Sequence, residues 1–127
     1  MPTDIKIIHA RDFIKATANG QLDLENAKKQ LVEIASAATS LADFHIILDT
    51  RRAQSRMSVA DLWNLAKELD GMRMRFLTSL KQIAVLCPVA EFDQASFFAL
   101  CAKNRGINIK AFSSFEDAIE WLIANGR

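Results

Sequence analysis

The chain has 127 residues and a formal net charge of +1, so its charge gives no reason to expect nucleic acid as the main partner. Hydrophobic residues make up 50% of it and charged residues 24%, a balance typical of one soluble globular domain spanning residues 1–127. No membrane span or signal peptide is recognisable, and Cys87 and Cys101 lack metal-binding spacing, so we expect a cytoplasmic protein with reduced thiols.

Two short β-prone runs open the chain, at residues 5–8 and 13–16. Their close spacing predicts an antiparallel hairpin, and the pair Asn19-Gly20 predicts a second turn. Asp23 is expected to cap the first helix. The inner face of this helix is marked by apolar residues at helical spacing, namely Leu24, Ala27, Leu31, Ile34, Ala35 and Ala38.

The middle of the chain is expected to contain the central strand of a sheet. Residues 44–48 form an apolar run broken only by His45, which suits a strand covered on both faces. Residues 50–57 are expected to form an arginine-rich loop, and a second helix is expected to begin at Ser58. The helix stops at Gly71 or continues to Leu77; the pattern leaves both open. Its expected buried stripe consists of Val59, Leu62, Leu65, Ala66 and Leu69.

The C-terminal part repeats the alternation of strand and helix. Residues 83–87 predict a buried strand, and Phe92–Lys103 predicts a third helix that ends with Gly106 at its C′ position. Residues 107–112 alternate between apolar and polar side chains over most of their length, which predicts the last strand. The closing helix is predicted by a capping-box pair, Ser113 with Glu116, and by an inner face of Phe115, Ala118, Ile119 and Leu122.

The predicted order of elements is β-β-α-β-α-β-α-β-α. After the hairpin, strands alternate with helices, and this alternation favours parallel strands joined by crossovers. The sequence therefore predicts an α/β fold with a mixed five-stranded sheet and four main helices.

Few polar residues point to catalysis. His9 and His45 lack the spacing of metal ligands, and no phosphate-binding or dinucleotide-binding glycine motif is present. We therefore expect no metal, no cofactor and no enzymatic activity. Asp49 ends the central strand, where open α/β sheets collect ligands. We expect it to hydrogen-bond loop amides or to pair with Arg51 or Arg52.

Ser58 is the principal candidate residue, with two compatible interpretations. Ser58 and Asp61 have capping-box spacing, and loss of such a cap costs about 1 kcal/mol. Alternatively Ser58 is a phosphorylation site, because a phosphate there would meet the positive end of a helix and the arginines before it. The candidate residues for binding a protein partner or an anion are Asp49, Arg51, Arg52, Arg56 and Asp61.

Two adjacent phenylalanines make the third helix more apolar than one buried stripe requires. Phe97 and Phe98 cannot both face the same core, so one side of the helix is expected to meet a partner chain or line a pocket against the sheet. Such a pocket would contain Phe97 or Phe98 with few polar groups, and it would suit a small apolar ligand.

The β-β start, the apolar strand ending in Asp49 and the segment leading to Ser58 resemble the STAS domain of anti-sigma factor antagonists. The similarity is greatest to the SpoIIAA-like group with its SEC14-like relatives. The closing segment, residues 112–122, also resembles that group. The resemblance implies a SpoIIAA-like fold and a non-enzymatic regulatory module that binds a protein partner. It also implies phosphorylation by a partner kinase at the position of Ser58; of the motif around that serine, only the serine is present.

The SEC14-like side of the resemblance implies a different function, a carrier or sensor of a small apolar, lipid-like ligand held between helices and sheet. A homodimer is a further alternative that the sequence leaves open.

Overall fold

A computed structural model describes residues 4–10, 13–38, 44–75, 77–78 and 80–125, with only the backbone described for 4–10 and 125. The α/β class and four helices are confirmed. A short 3-10 turn, Val89–Glu91, precedes the third helix. The strands are β1 (Asp4–Ala10), β2 (Phe13–Leu22), β3 (Phe44–Ser55), β4 (Leu80–Leu86) and β5 (Ile109–Phe112), and the helices are α1 (Leu24–Ala37), α2 (Val59–Arg75), α3 (Phe92–Lys103) and α4 (Phe115–Asn125).

The strands form one sheet in the order β1-β2-β3-β4-β5. Strands β2 to β5 are parallel to one another, and β1 lies antiparallel to β2 at one edge. Ile46 and Val85 are 1% and 5% exposed, which confirms that the strands containing them are buried.

The two faces of the sheet carry separate cores. Alternate residues of β3, such as Ile46, pack with α1, α2 and α3 on one face. Ile47 faces the other way and belongs to a smaller cluster with Ala118 and Leu122 of α4. This alternation follows from the two-residue period of a strand, and it assigns each residue of β3 to one face.

Strands β2 and β3 are longer than predicted. The turn predicted at Asn19-Gly20 is wrong, because β2 continues to Leu22. The loop predicted over residues 50–57 is wrong for 50–55 and holds for 56–57, because β3 continues to Ser55, which pairs with Leu22. Their mutual hydrogen bonds satisfy the backbone, so the segment stays extended despite its polar side chains. Gly20 remains within the strand at φ +85°, a conformation that glycine adopts without steric cost.

A β-bulge interrupts the pairing of these strands. Thr17 pairs with Asp49 and Asn19 pairs with Arg52, so two residues of β3 lie opposite one residue of β2. The bulge changes which residues of β3 face the larger core: Leu48 does so before it and Ala53 after it, and both are buried. Bulges re-aim side chains in this way.

The helix ends show which sequence signals operate. Asp23 caps α1 as predicted, accepting a 2.8 Å hydrogen bond from the Asn26 amide. Gly106, at φ +93°, occupies the predicted C′ position: its amide donates to the Lys103 carbonyl at 2.9 Å. The next amide, that of Ile107, donates to the Ala102 carbonyl at 3.2 Å, which completes a Schellman motif.

Two predictions at helix starts are wrong. Ser114, not Ser113, caps α4 by accepting a 3.3 Å hydrogen bond from the Asp117 amide. Val59 is 67% exposed, so the buried stripe of α2 begins one turn later, at Leu62. Helix α2 continues past Gly71 and ends at Arg75.

Candidate functional site

The start of α2 presents Ser58 to solvent. The Asp61 amide donates to Ser58 Oγ at 3.1 Å, and the Ser58 amide donates to Asp61 Oδ2 at 3.0 Å. This reciprocal pair confirms the predicted capping box. Because Ser58 is exposed while it caps the helix, its hydroxyl is also accessible to another protein.

Asp49 forms a partly buried ion pair with Arg51. The guanidinium donates two bonds, Nε to Oδ1 at 2.9 Å and Nη2 to Oδ2 at 2.8 Å, and the Arg51 amide donates to Oδ1 at 3.1 Å. Lys15 Nζ lies 3.7 Å from Oδ2. Burial favours the neutral carboxyl, but Arg51 and then Lys15 outweigh it and hold the pKa of Asp49 below its ordinary value. The predicted pairing of Asp49 with Arg51 is confirmed.

The same two cations contact the first residue of α4. Lys15 Nζ lies 5.3 Å and Arg51 Cζ 5.8 Å from the ring centroid of Phe115, within the range of cation–π interactions. Arg51 is thereby held between Asp49 and α4. Nothing in the sequence spacing indicates that Lys15 and Phe115 join Asp49, because strand pairing and helix packing create this proximity.

The arginines predicted to act together are divided by this arrangement. Arg51 is committed to Asp49, whereas Arg52 and Arg56 are exposed. Within the described part of the chain, neither of these two guanidinium groups forms an ion pair. Two cationic side chains close in sequence to Ser58 therefore remain available for a negatively charged group.

A cavity of about 70 Å³ lies between the sheet and helices α1, α2 and α3. Phe98, 5% exposed, lines it; Phe97 is half-buried and lies outside its walls. Met57 and Leu62 also line it, so the cavity reaches beneath the start of α2.

Several polar groups of the cavity wall are already bonded. The Thr50 hydroxyl donates to the Leu86 carbonyl at 2.8 Å, and the Ser55 amide donates to Glu91 Oε1 at 2.9 Å. Cys87 also lines the cavity; burial, with the nearby charge of Glu91, raises the pKa of its thiol to about 11. The thiol is therefore protonated at neutral pH and a poor nucleophile.

The described residues contain no group of three or more histidine, cysteine, aspartate or glutamate side chains placed to hold a metal ion. None of their helices combines the length and apolar character that crossing a membrane requires.

The arrangement of sheet and helices matches solved structures. An uncharacterised protein from Shewanella loihica, of the DUF3478 family with a SpoIIAA-like fold, superposes with a TM-score of 0.59 at 17% identity, over 94% of this chain and 93% of that one. The chain has a SpoIIAA-like fold. An anti-sigma factor antagonist from Mycobacterium paratuberculosis gives a TM-score of 0.63 at 10% identity, over 95% and 94% of the two chains.

A third structure, the Bacillus cell fate determinant SpoIIAA in its phosphorylated form, gives a TM-score of 0.50 at 16% identity, over 94% of this chain and 99% of that one. No protein-family model and no curated protein matches the sequence. At these identities the similarity establishes the fold alone.

Proposed function

We propose that the chain is a non-enzymatic regulatory module that binds a protein partner through the surface at the start of α2. We call this the α2 surface and define it by Arg56, Ser58 and Asp61. The observation that carries the proposal is the exposed Ser58 hydroxyl at a helix N-terminus, two residues after the exposed Arg56, which forms no ion pair among the described residues. Two proteins of the same fold are an anti-sigma factor antagonist and a phosphorylated SpoIIAA, which supports a regulatory role.

Phosphorylation of Ser58 would switch this surface electrostatically. A phosphoserine carries nearly two negative charges at neutral pH, which the helix N-terminus and arginine side chains stabilise. Asp61 opposes the phosphate, because its carboxylate accepts the Ser58 amide and is thereby held close enough to repel a second negative group. The added charge would therefore displace the present capping box and attract Arg56, two residues before it, so the surface offered to a partner would change.

The capping role of Ser58 predicts the stability of two variants. We expect Ser58→Ala to lower the free energy of unfolding by about 1 kcal/mol, because the Asp61 amide loses its acceptor. Ser58→Asp is expected to retain most of the stability, since aspartate also caps helices well. Urea unfolding measures both values, and Ser114→Ala is the matched control because it removes the cap of α4 alone.

Partner binding is the decisive measurement for the α2 surface. A photo-cross-linking residue at exposed Val59 would identify a protein that contacts this surface, and titration with that purified protein would compare the variants. We expect Ser58→Asp and Arg56→Glu to weaken binding at least tenfold, a change of roughly 1.4 kcal/mol.

Lys81→Glu provides a charge-matched control at an exposed position near the opposite end of the parallel strands. It is expected to bind the partner as wild type does. Equal affinity of wild type, Ser58→Ala, Ser58→Asp and the arginine variant would leave Ser58 as a helix cap only and would refute the switch.

A second candidate function is the sensing of a small apolar ligand. The observation that favours it is the cavity lined by Phe98 that extends beneath the start of α2. A ligand there would contact Met57 and Leu62, on either side of Ser58 in the chain, and could thereby influence the α2 surface. Native mass spectrometry of freshly purified protein tests this function, since a retained ligand would add a defined mass that denaturation removes.

A further inference from the structure

We propose that the partner presents an acidic segment to the flank of α2 next to Ser58, with an apolar side chain packed on Trp63. We call this flank the Trp63 patch and define it by Val59, Trp63, Lys67 and Arg105. The inference rests on the proposed function, because it names the chemistry of the partner that binds there.

Trp63 is the apolar anchor of the patch. It is 48% exposed, and Val59, four residues earlier, is 67% exposed. Residues four apart lie on the same side of a helix. Val59 directly follows Ser58, so the patch is continuous with the α2 surface. Tryptophan is usually well buried, and in protein interfaces tryptophan and arginine supply much of the binding energy. An exposed tryptophan beside the proposed binding surface therefore indicates a contact with the partner.

Two cations hold the indole in place. Lys67 Nζ lies 5.7 Å and Arg105 Cζ 5.4 Å from the centroid of the Trp63 ring, within the range of cation–π interactions. Arg105 is itself fixed, because Arg73 Nη2 donates to its carbonyl at 3.3 Å and Asp70 Oδ2 lies 3.8 Å from its Nη1. A side chain that is already held loses little conformational freedom on binding, which favours affinity.

The patch has an excess of positive charge. Asp70 is shared by two arginines, since Arg73 Nη2 donates to its Oδ1 at 2.7 Å. Lys67 is exposed and forms no ion pair among the described residues. Glu68 lies five residues after Trp63, roughly 140° around the helix, and so belongs to another face. Three cations therefore meet one carboxylate here, and carboxylates of a partner would balance them.

Two other occupants fit these charges less well. A second copy of the chain, related by two-fold symmetry, would bring the same cations of both copies together, and like charges repel. A nucleic acid needs a track of basic groups along its backbone. The chain has a net charge of only +1, and Asp61, Glu68 and Asp70 lie on the same helix. An acidic protein segment is therefore the occupant that the charges favour.

Selection from a library of random peptides displayed on phage tests the chemistry of the patch. With the full chain as target, we expect enriched peptides to be rich in aspartate and glutamate and to contain an aromatic or aliphatic residue. The chain has two tryptophans, so an NMR titration with an enriched peptide follows two indole N–H signals. We expect the Trp63 signal to shift and that of Trp121, on α4 at the opposite face of the sheet, to stay in place. Enrichment of basic or uncharged peptides, or no enrichment beyond that on Trp63→Ala, would overturn the proposal.

Variants test the two parts of the patch. Trp63→Ala and Lys67→Glu should each bind the enriched peptide about tenfold more weakly. Lys81→Glu, an exposed charge reversal on β4, should bind it as wild type does. Lys67→Glu breaks no ion pair among the described residues, and urea unfolding checks that both variants fold. Unchanged affinity of both variants, tighter binding of an oligothymidylate than of the peptide, or a dimer that Trp63→Ala dissociates would contradict the inference.

The partner cross-linked through Val59 separates this inference from the proposed switch. Weak partner binding by Ser58→Asp, together with normal binding by Trp63→Ala and Lys67→Glu, would refute this inference alone. The reverse result would refute the switch and leave the Trp63 patch as the docking site.

Discussion

Ala53→Asp is expected to lower the free energy of unfolding by about 3–4 kcal/mol. Ala53 is 4% exposed and packs in the larger core, although it stands in a polar stretch of sequence. An aspartate there would bury a carboxylate, and no basic residue is among those lining the adjacent cavity. Burying an unpaired charge is one of the few mechanisms by which a single substitution destabilises a small domain severely. Chemical denaturation at neutral pH measures the effect.

Gln54→Asp is the matched control, because it adds the same charge to the next residue of β3, which is exposed. We expect it to cost less than roughly 1 kcal/mol, the span of β-propensities. Similar stability of the two variants would contradict the extended β3 and would restore the loop that the sequence pattern predicts.

Arg51→Ala is expected to have the next largest effect, a loss of about 2 kcal/mol. Removing one partner of a buried pair strands the other charge, at a cost of roughly 3–5 kcal/mol. Two features reduce this value: the Arg51 side chain is 41% exposed, and Lys15 remains 3.7 Å from the Asp49 carboxylate. Arg52→Ala is the control, because its exposed side chain has no ion pair in the described part of the chain. Equal unfolding midpoints for Arg51→Ala and Arg52→Ala would show that the pair contributes nothing measurable.

The pair also predicts how stability depends on pH. The folded-state pKa of Asp49 lies below the ordinary value of 3.8, so its contribution is present above that value and is lost as the pH falls through the lowered pKa. Asp49→Asn removes this titration. We therefore expect the stability difference between wild type and Asp49→Asn to shrink below pH 3.8. A difference that stayed constant across that range would contradict a lowered pKa.

Much of the fold could be predicted because its signals are local. The Asp23 cap, the Gly106 helix end and the Ser58–Asp61 capping box each depend on residues a few positions apart, and all three are confirmed. The same holds for the apolar runs of the buried strands. Hydrophobic patterning and capping act over a few turns of chain, so one sequence is enough to recognise them.

The sequence by itself thus determined the α/β class, the helices and the capping position of Ser58. The tertiary structure alone decided that Thr50 to Ser55 is strand, because pairing with β2 satisfies its backbone and a bulge then places Ala53 in the core. It also decided that Lys15 and Phe115 join Asp49 and Arg51, and that Gln30 lines a cavity with Phe98. These contacts join residues that are distant in the chain, so no local pattern encodes them; strand register and helix packing do.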